Sequence, residues 1–353
     1  MEKGKLMGFK PTRRAAALVA AGLVSTLALA ACASTDEPAA GSTGSGGGKE
    51  VTLSLVAYST PQAAYEKIIA AFQKTDAGKN VKFTQSYGAS GDQSRAVAAG
   101  LPADFVEFSL ETDMTRLVDA GLVDASWNTD EHKGMVTDSV VSLVTRKGNP
   151  KNIKSFEDLV KPGVDVITPN PFSSGAARWN IMGAYGSQTQ TGKSEADATA
   201  FLANVLGNVS VQDDSGRAAL QTFTGGKGDV LISYENEAIF AQQNGQDVDY
   251  VVPDNTLLIE NPAAVTSSSK HPKQAKAFLD FVRSDEAQKI FAENGYRPVS
   301  ESADTAGQDF PTPPGLFTIQ DLGGWAEVAT KFFDPDKGIV TDIERKLGVS
   351  VEK

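Results

Sequence analysis

The chain has few side chains with which to bind a metal or form a disulfide bond. Its 353 residues include one cysteine and two histidines. One cysteine allows no disulfide bond within the chain, and these three side chains cannot complete a closed zinc site without carboxylates. We therefore predict no metal and no cofactor.

Positive charge is also scarce. The 33 Lys and Arg residues are outnumbered by 44 Asp and Glu, which gives a net charge of −11 and argues against nucleic-acid binding. What is present is typical of a globular protein, because 41% of the residues are hydrophobic and only 22% are charged. The length predicts about two domains.

The N-terminal residues 1–31 have the pattern of a signal peptide. Five basic side chains precede an apolar run, Ala15 to Ala31, which is too short and too rich in small residues for a transmembrane helix. The run ends in Leu29-Ala30-Ala31-Cys32, which matches the lipobox of bacterial lipoproteins, where the cysteine is acylated after cleavage. The alternative is a buried cysteine in an apolar helix. Because residues 1–31 carry one acidic side chain, their removal would change the net charge from −11 to −15.

Residues 32–49 are predicted to be the lipidated Cys32 and a flexible tether, because they are rich in Ala, Ser, Thr and Gly. Beyond them, short apolar segments alternate with helical patterns. This rhythm predicts an α/β fold with mixed, mostly parallel sheets and helices on both faces. Two β-rich segments, 136–146 and 251–265, are predicted to cross between two lobes. Lobe 1 would comprise residues 50–140 and 260–353, and lobe 2 residues 141–259.

Several predicted helices begin with Ser or Gly followed by small residues. Such a helix start leaves backbone N–H groups open to an anion at the positive end of the helix dipole, and open α/β sheets bind ligands at the carboxyl ends of their strands. Ordinary helix capping is the alternative reading, with Thr60 and Ser90 as the caps. These turns are Ser59-Thr60-Pro61, Ser90-Gly91, Ser174-Gly175-Ala176 and Ser215-Gly216-Arg217.

Enzyme motifs are missing. The chain contains no G-x-S-x-G elbow and no phosphate-binding P-loop. A hydrolase using Ser90 or Ser174 would need His132 or His271, and both lie in segments that are predicted to be exposed loops. We therefore predict that the protein is not an enzyme.

The sequence resembles the sulfate- and thiosulfate-binding proteins of ABC importers, in particular the mycobacterial-type sulfate-binding lipoproteins. The resemblance runs in family order from about Val51 to Pro298 and continues in a tail at 318–325. The matching stretches are Gln85-Ser-Tyr-Gly-Ala-Ser-Gly-Asp-Gln93, Arg146-Lys-Gly-Asn-Pro150, Val166-Ile-Thr-Pro-Asn-Pro171, Ser174-Gly-Ala-Ala-Arg-Trp-Asn180, Gly228-Asp-Val-Leu-Ile-Ser-Tyr-Glu-Asn236 and Tyr296-Arg-Pro298.

The resemblance implies a two-lobed, type II periplasmic-binding-protein fold that holds sulfate by N–H and O–H donors without a countercharge. It also implies delivery to an ABC permease from the extracytoplasmic face of the cell membrane, with Cys32 as the lipid anchor. Two departures stand out, because Ser59 replaces the family's Asp and Tyr234 replaces its donating Trp. Arg217 aligns with the Arg that supports that Asp. The implied sulfate ligands are Ser59, Ser90, Ser174, Gly175, Ala176, Gly216 and Tyr234.

The choice of anion follows from hydrogen-bond chemistry. Sulfate only accepts hydrogen bonds, whereas phosphate keeps a proton near neutral pH and needs an acceptor. Tyr234 offers an acceptor oxygen as well as a donor, and Asp92, at the start of its helix, is expected to face solvent. Molybdate, tungstate, thiosulfate and phosphate therefore stay open as alternative ligands, as does a purely interacting surface lipoprotein.

Overall fold

The computed structural model describes residues 50–300 and 302–351. The signal peptide, Cys32 and the tether lie outside the described residues. The strands are β1 Val51–Tyr58, β2 Val81–Gly88, β3 Phe105–Glu107, β4 Met135–Arg146, β5 Val166–Pro169, β6 Val209–Asp213, β7 Val230–Tyr234, β8 Val248–Val251 and β9 Leu258–Val265. The α-helices are α1 Gln62–Phe72, α2 Ser90–Ala98, α3 Glu111–Asp119, α4 Gly175–Thr189, α5 Glu195–Gly207, α6 Gly216–Thr224, α7 Glu235–Gln243, α8 Pro272–Val282, α9 Asp285–Glu293, α10 Gly324–Phe333 and α11 Ile339–Leu347.

The nine strands form one sheet, in which eight follow the order β2-β1-β3-β9-β4-β7-β5-β6 and β8 pairs with β4 beside this path. We call β2, β1, β3 and β9 the first half-sheet. The second half-sheet comprises β7, β5, β6 and β8 around the end of β4. This architecture confirms the predicted mixed α/β class.

Parallel pairing is confined to the outer strands. β1 lies parallel to β2 and β3, and β5 lies parallel to β6 and β7. The central strands β4 and β9 run antiparallel to all their partners. β4 and β9 are antiparallel to each other because one carries the chain from the first half-sheet to the second and the other carries it back.

Strand β4 belongs to both half-sheets. Its residues 135–140 pair with β9, whereas residues 141–146 pair with β7 and β8. The predicted crossing segment 136–146 therefore coincides with an observed strand. The predicted return crossing contains β9, which pairs with β3 and β4.

Separate apolar clusters cover the half-sheets. Tyr65 of α1, Phe278 of α8 and Phe291 of α9 pack with Leu55 on one face of the first half-sheet, and Met114 and Leu117 of α3 lie in a cluster with Val106. The largest cluster joins α4 and α5 to the C-terminal helices. In it, the Trp179 ring of α4 meets the Trp325 ring of α10 edge-on, with centroids 4.6 Å apart.

The segment from Pro272 to Glu293 is divided into α8 and α9, because Ser284 caps α9 by accepting a hydrogen bond from Ala287 N–H. One local prediction was wrong. Thr60 does not cap α1; Pro61 occupies that position, and the Thr60 hydroxyl instead lies 3.0 Å from the Tyr296 hydroxyl. Among residues 50–300 and 302–351, no helix combines the length and the apolarity needed to cross a bilayer.

Candidate functional site

Three of the predicted turns meet at the start of α6. A Cβ built on Gly216 would lie 3.3 Å from the Ala176 Cβ and 3.5 Å from the Thr60 Cγ2. Ala176 is the second residue of α4, and Thr60 follows Ser59 at the end of β1. The structure therefore brings the first turn and the N-termini of α4 and α6 together.

A second meeting point is Ser109, which the sequence did not single out. Its hydroxyl lies 2.7 Å from the Tyr234 hydroxyl, and its N–H donates to the Ser90 Oγ at 2.9 Å. A Cβ built on Gly175 would lie 2.7 Å from the Ser109 Oγ. Ser109 thus touches three residues of the predicted ligand set. It follows β3 and was recognisable only by the rule that sites lie at the carboxyl ends of strands.

The helix starts of α4 and α6 carry several of the predicted backbone donors. The first N–H groups of a helix have no partner within it and carry the positive end of the dipole. Gly175, Ala176 and Gly216 are all buried. The Ser174 N–H is already used, because it donates to the Asn170 carbonyl oxygen at 2.9 Å. Of the two donor groups of Ser174, only the hydroxyl is therefore available to a ligand.

The serines at these turns have different roles. Ser215 caps α6 by accepting from Ala218 N–H, as ordinary capping predicts. Ser90 is not a cap, because Ala89 holds that position. The Ser90 hydroxyl instead donates to the Asp113 carboxylate at 2.6 Å. In this arrangement the proton of Ser90, which was predicted to face the ligand, is directed to a carboxylate.

Charges near these donors are compensated in pairs. The Asp113 carboxylate accepts from Arg116 at 2.8 Å. Burial lowers the pKa of the neighbouring Arg178 to about 10, while the charge of Asp113 opposes that shift. Asp92 is exposed and pairs with Arg95 on the helix surface, as expected. The carboxylate beside the site is therefore balanced by guanidinium groups.

Tyr234 lies at the end of β7 with 1% of its surface exposed. Burial raises its pKa far above the ordinary value. The phenol therefore stays protonated throughout the physiological range, and its hydroxyl can donate one hydrogen bond.

Arg217, the predicted supporting residue, connects the two half-sheets. It binds Glu237 through two hydrogen bonds, of 2.9 and 2.7 Å, and donates to the Thr60 carbonyl oxygen at 2.9 Å. Its guanidinium lies 3.8 Å from the centre of the Phe240 ring. Because Ser59 offers no carboxylate, Arg217 reaches the first turn through a backbone oxygen.

The sequence analysis missed further residues that hold the site together. Trp179 of α4 donates its indole N–H to the Ser109 carbonyl oxygen at 2.7 Å, and Asn261 of β9 donates to the same oxygen at 3.1 Å. Gly91 N–H donates to the Ser173 carbonyl oxygen at 3.1 Å. These contacts join residues far apart in the chain, so no local motif signals them.

The histidines lie elsewhere. His132 is 3.6 Å from Glu131 in a surface turn, and His271 stands at the cap position of α8. Ser90 faces a carboxylate instead of an imidazole. Within residues 50–300 and 302–351, neither histidine is hydrogen-bonded to Ser90.

Comparison with known proteins identifies similar binding proteins. The family model described as bacterial extracellular solute-binding protein matches residues 53–297. The sulfate-binding protein of Synechococcus elongatus is 44% identical over 330 residues, covering 91% of this chain and 92% of the relative. The thiosulfate-binding protein of Pseudomonas aeruginosa is 36% identical over 294 residues, covering 79% of this chain and 88% of the relative.

A solved structure is also similar to this chain. The sulfate-binding protein SubI from Mycobacterium tuberculosis matches with a TM-score of 0.78 and 45% identity, over 81% of this chain and all of that one. These matches confirm the resemblance and the fold inferred from the sequence, and they support a binding protein instead of an enzyme. The chain belongs to the bacterial extracellular solute-binding proteins, in the family that contains these sulfate- and thiosulfate-binding relatives.

Proposed function

We propose that the chain captures sulfate between two lobes and delivers it to the permease of an ABC transporter. The observation that carries the proposal is the convergence of the first turn and the N-termini of α4 and α6 beside Ser109 and Tyr234. The names of the relatives, which are sulfate- and thiosulfate-binding proteins, support the same ligand.

The lobes follow the half-sheets, with one change from the sequence-based division. Residues 141–259 form the core of the second lobe in both schemes. The C-terminal helices α10 and α11 pack in the apolar cluster of Trp179, so we place them with the second lobe instead of the first. The site then lies where the lobes meet.

The donor set suits a dianion that accepts hydrogen bonds and donates none. Backbone N–H groups of Ser59, Gly175, Ala176 and Gly216 point from turns and helix starts, and the hydroxyls of Ser174 and Tyr234 add further donors. Ser90 joins them by turning its proton from Asp113 to the anion, while Arg116 keeps that carboxylate compensated. Fixed backbone dipoles lose little entropy on binding.

Calorimetry on the purified protein tests the ligand. At neutral pH we expect sulfate to bind in preference to phosphate, because phosphate retains a proton that this donor set cannot accept. Thiosulfate, a dianion with sulfur in place of one oxygen, is the second candidate. Equal binding of phosphate and sulfate, or a preference for phosphate, would contradict the proposal.

We also propose that Cys32 anchors the protein by lipid to the extracytoplasmic face of the membrane. The support is the lipobox Leu29-Ala30-Ala31-Cys32 and the basic and apolar segments before it. Metabolic labelling with a fatty acid should mark the wild-type protein and leave Cys32→Ser unlabelled. A labelled Cys32→Ser variant, or an unlabelled wild type, would contradict this anchor.

A further inference from the structure

Ser109 is a buried residue whose polar groups are all engaged. It is 1% exposed. Its N–H donates to Ser90, its carbonyl oxygen accepts from Trp179 and Asn261, and its hydroxyl pairs with that of Tyr234. These partners lie on both half-sheets, so Ser109 is held from several directions.

The space around Ser109 is closed by Gly175. A Cβ at position 175 would approach the Ser109 Oγ and Cβ to 2.7 and 2.8 Å. Only glycine lets the first turn of α4 lie this close. The hydroxyl of Ser109 therefore sits between the start of α4 and the phenol of Tyr234.

Two hydroxyls in contact share one hydrogen bond but carry two protons. Whichever oxygen donates within the pair, the other keeps an O–H for a third group. The nearby Asn261 Oδ1 already accepts from Tyr58 at 3.0 Å and from Thr137 at 3.2 Å. Because both lone pairs of this oxygen are used, the contact of Asn261 with Tyr234, which acts to lower the pKa of the phenol, comes from the Asn261 amide N–H and leaves the phenol proton free.

We infer that Ser109 is a specificity-determining positioning residue that makes Tyr234 a donor-only group. Its hydroxyl donates to the phenol oxygen, which uses the acceptor capacity of Tyr234 and leaves the phenol O–H for the anion. This inference rests on the proposed function. It explains how a tyrosine, which ordinarily both donates and accepts, can take part in a site that excludes protonated anions.

Removing the Ser109 hydroxyl tests the inference through selectivity as well as affinity. We expect Ser109→Ala to bind sulfate about threefold to tenfold more weakly and to lower the preference for sulfate over inorganic phosphate at least tenfold, because the phenol oxygen regains its acceptor. Ser109→Thr keeps the hydroxyl and should restore the wild-type preference. In a Tyr234→Phe background, Ser109→Ala should change the preference no further.

The sulfate affinities are measured by calorimetry at one neutral pH. The preference for sulfate is measured at the same pH by competition of phosphate against bound sulfate. Ser109→Cys is the second variant if Ser109→Ala fails to fold, because its thiol keeps the packing but donates weakly, and the preference should shift in the same direction. An unchanged preference, or an equal loss for both anions, overturns the inference while sulfate capture stands. A wild type that binds no sulfate overturns the proposed function, and the inference with it.

Discussion

At the scale of single residues, Glu107 is the least expected side chain in the core. It is the last residue of β3, paired with Ala57 of β1 and Ala263 of β9, with none of its surface exposed. Among the described residues neither carboxyl oxygen has a hydrogen-bond partner within normal distance. Burial raises its pKa to about 8, and the nearby Tyr65 and Thr137 hydroxyls only partly oppose this.

This raised pKa predicts how stability depends on pH. Below about 4.5 the carboxyl is protonated in both folded and unfolded chains; between about 4.5 and 8 only the unfolded chain loses the proton. The Glu107 contribution is therefore fully present at low pH and is lost as pH rises, at about 1.4 kcal/mol per pH unit. We expect Glu107→Gln to remove this component from urea unfolding free energies measured between pH 5 and 8.

Glu131→Gln is the control, because its side chain is exposed and its replacement should leave the slope unchanged. If Glu107→Gln retained the full pH dependence of the wild type, the buried carboxyl would have to be ionised in the folded protein.

At the scale of secondary-structure elements, the approach of α4 to the end of β3 decides the shape of the site. Gly175→Ala would place a methyl group 2.7 Å from the Ser109 Oγ and 2.8 Å from the Leu110 Cγ. Overpacking of this kind costs about 1–3 kcal/mol, and it would push the helix N-terminus away from its partners. We expect calorimetry to show at least a tenfold loss of sulfate affinity.

Gly207→Ala is the matched control, because a Cβ at the end of α5 meets nothing within 4 Å. Its affinity should equal that of the wild type, with equal or slightly higher stability in urea. Sulfate binding by Gly175→Ala at wild-type strength would show that α4 can shift without disturbing the donors.

Local patterns predicted the elements better than they predicted the caps. The β-branched run at 136–146 revealed β4 because a strand shared by two half-sheets is buried along most of its length. Thr60 and Ser90 looked like caps, yet their hydroxyls have partners distant in sequence, Tyr296 and Asp113. Motifs at helix starts predicted Gly175, Ala176 and Gly216 as donors, and these residues do lie at the starts of α4 and α6. Ser109 and Asn261 were missed because their roles arise from contacts between strands and helices far apart in the chain.

At the scale of the whole molecule, Arg217 is expected to control how long the lobes stay together. Arg217→Lys keeps a charge for Glu237 but cannot bind it in the same two-pronged way and also reach the Thr60 oxygen. A hydrogen bond from a charged group contributes about 1.5–3 kcal/mol. We expect sulfate to dissociate about tenfold faster or more in stopped-flow experiments, with a nearly unchanged association rate.

Arg345→Lys serves as the control. Arg345 also donates to backbone oxygens, those of Pro335 and Asp336, but it lies on the surface of α11. Its replacement should leave both rates unchanged. If Arg217→Lys released sulfate at the wild-type rate, the bond to the first turn would have no part in holding the lobes.

Hydrogen bonds that run directly between the half-sheets add to the free energy needed to separate them and release the anion. Three hydrogen bonds join the two parts of the chain without involving the anion: Trp179 donates to Ser109, Gly91 to Ser173 and Arg217 to Thr60. At about 0.5–3 kcal/mol each, parting them requires several kcal/mol in addition to the loss of contacts with the anion. A transporter that receives the cargo must offset this amount by binding the parted form more tightly than the joined one. Release of the anion would therefore depend on the affinity of the transporter for the binding protein as much as on the affinity of the binding protein for the anion.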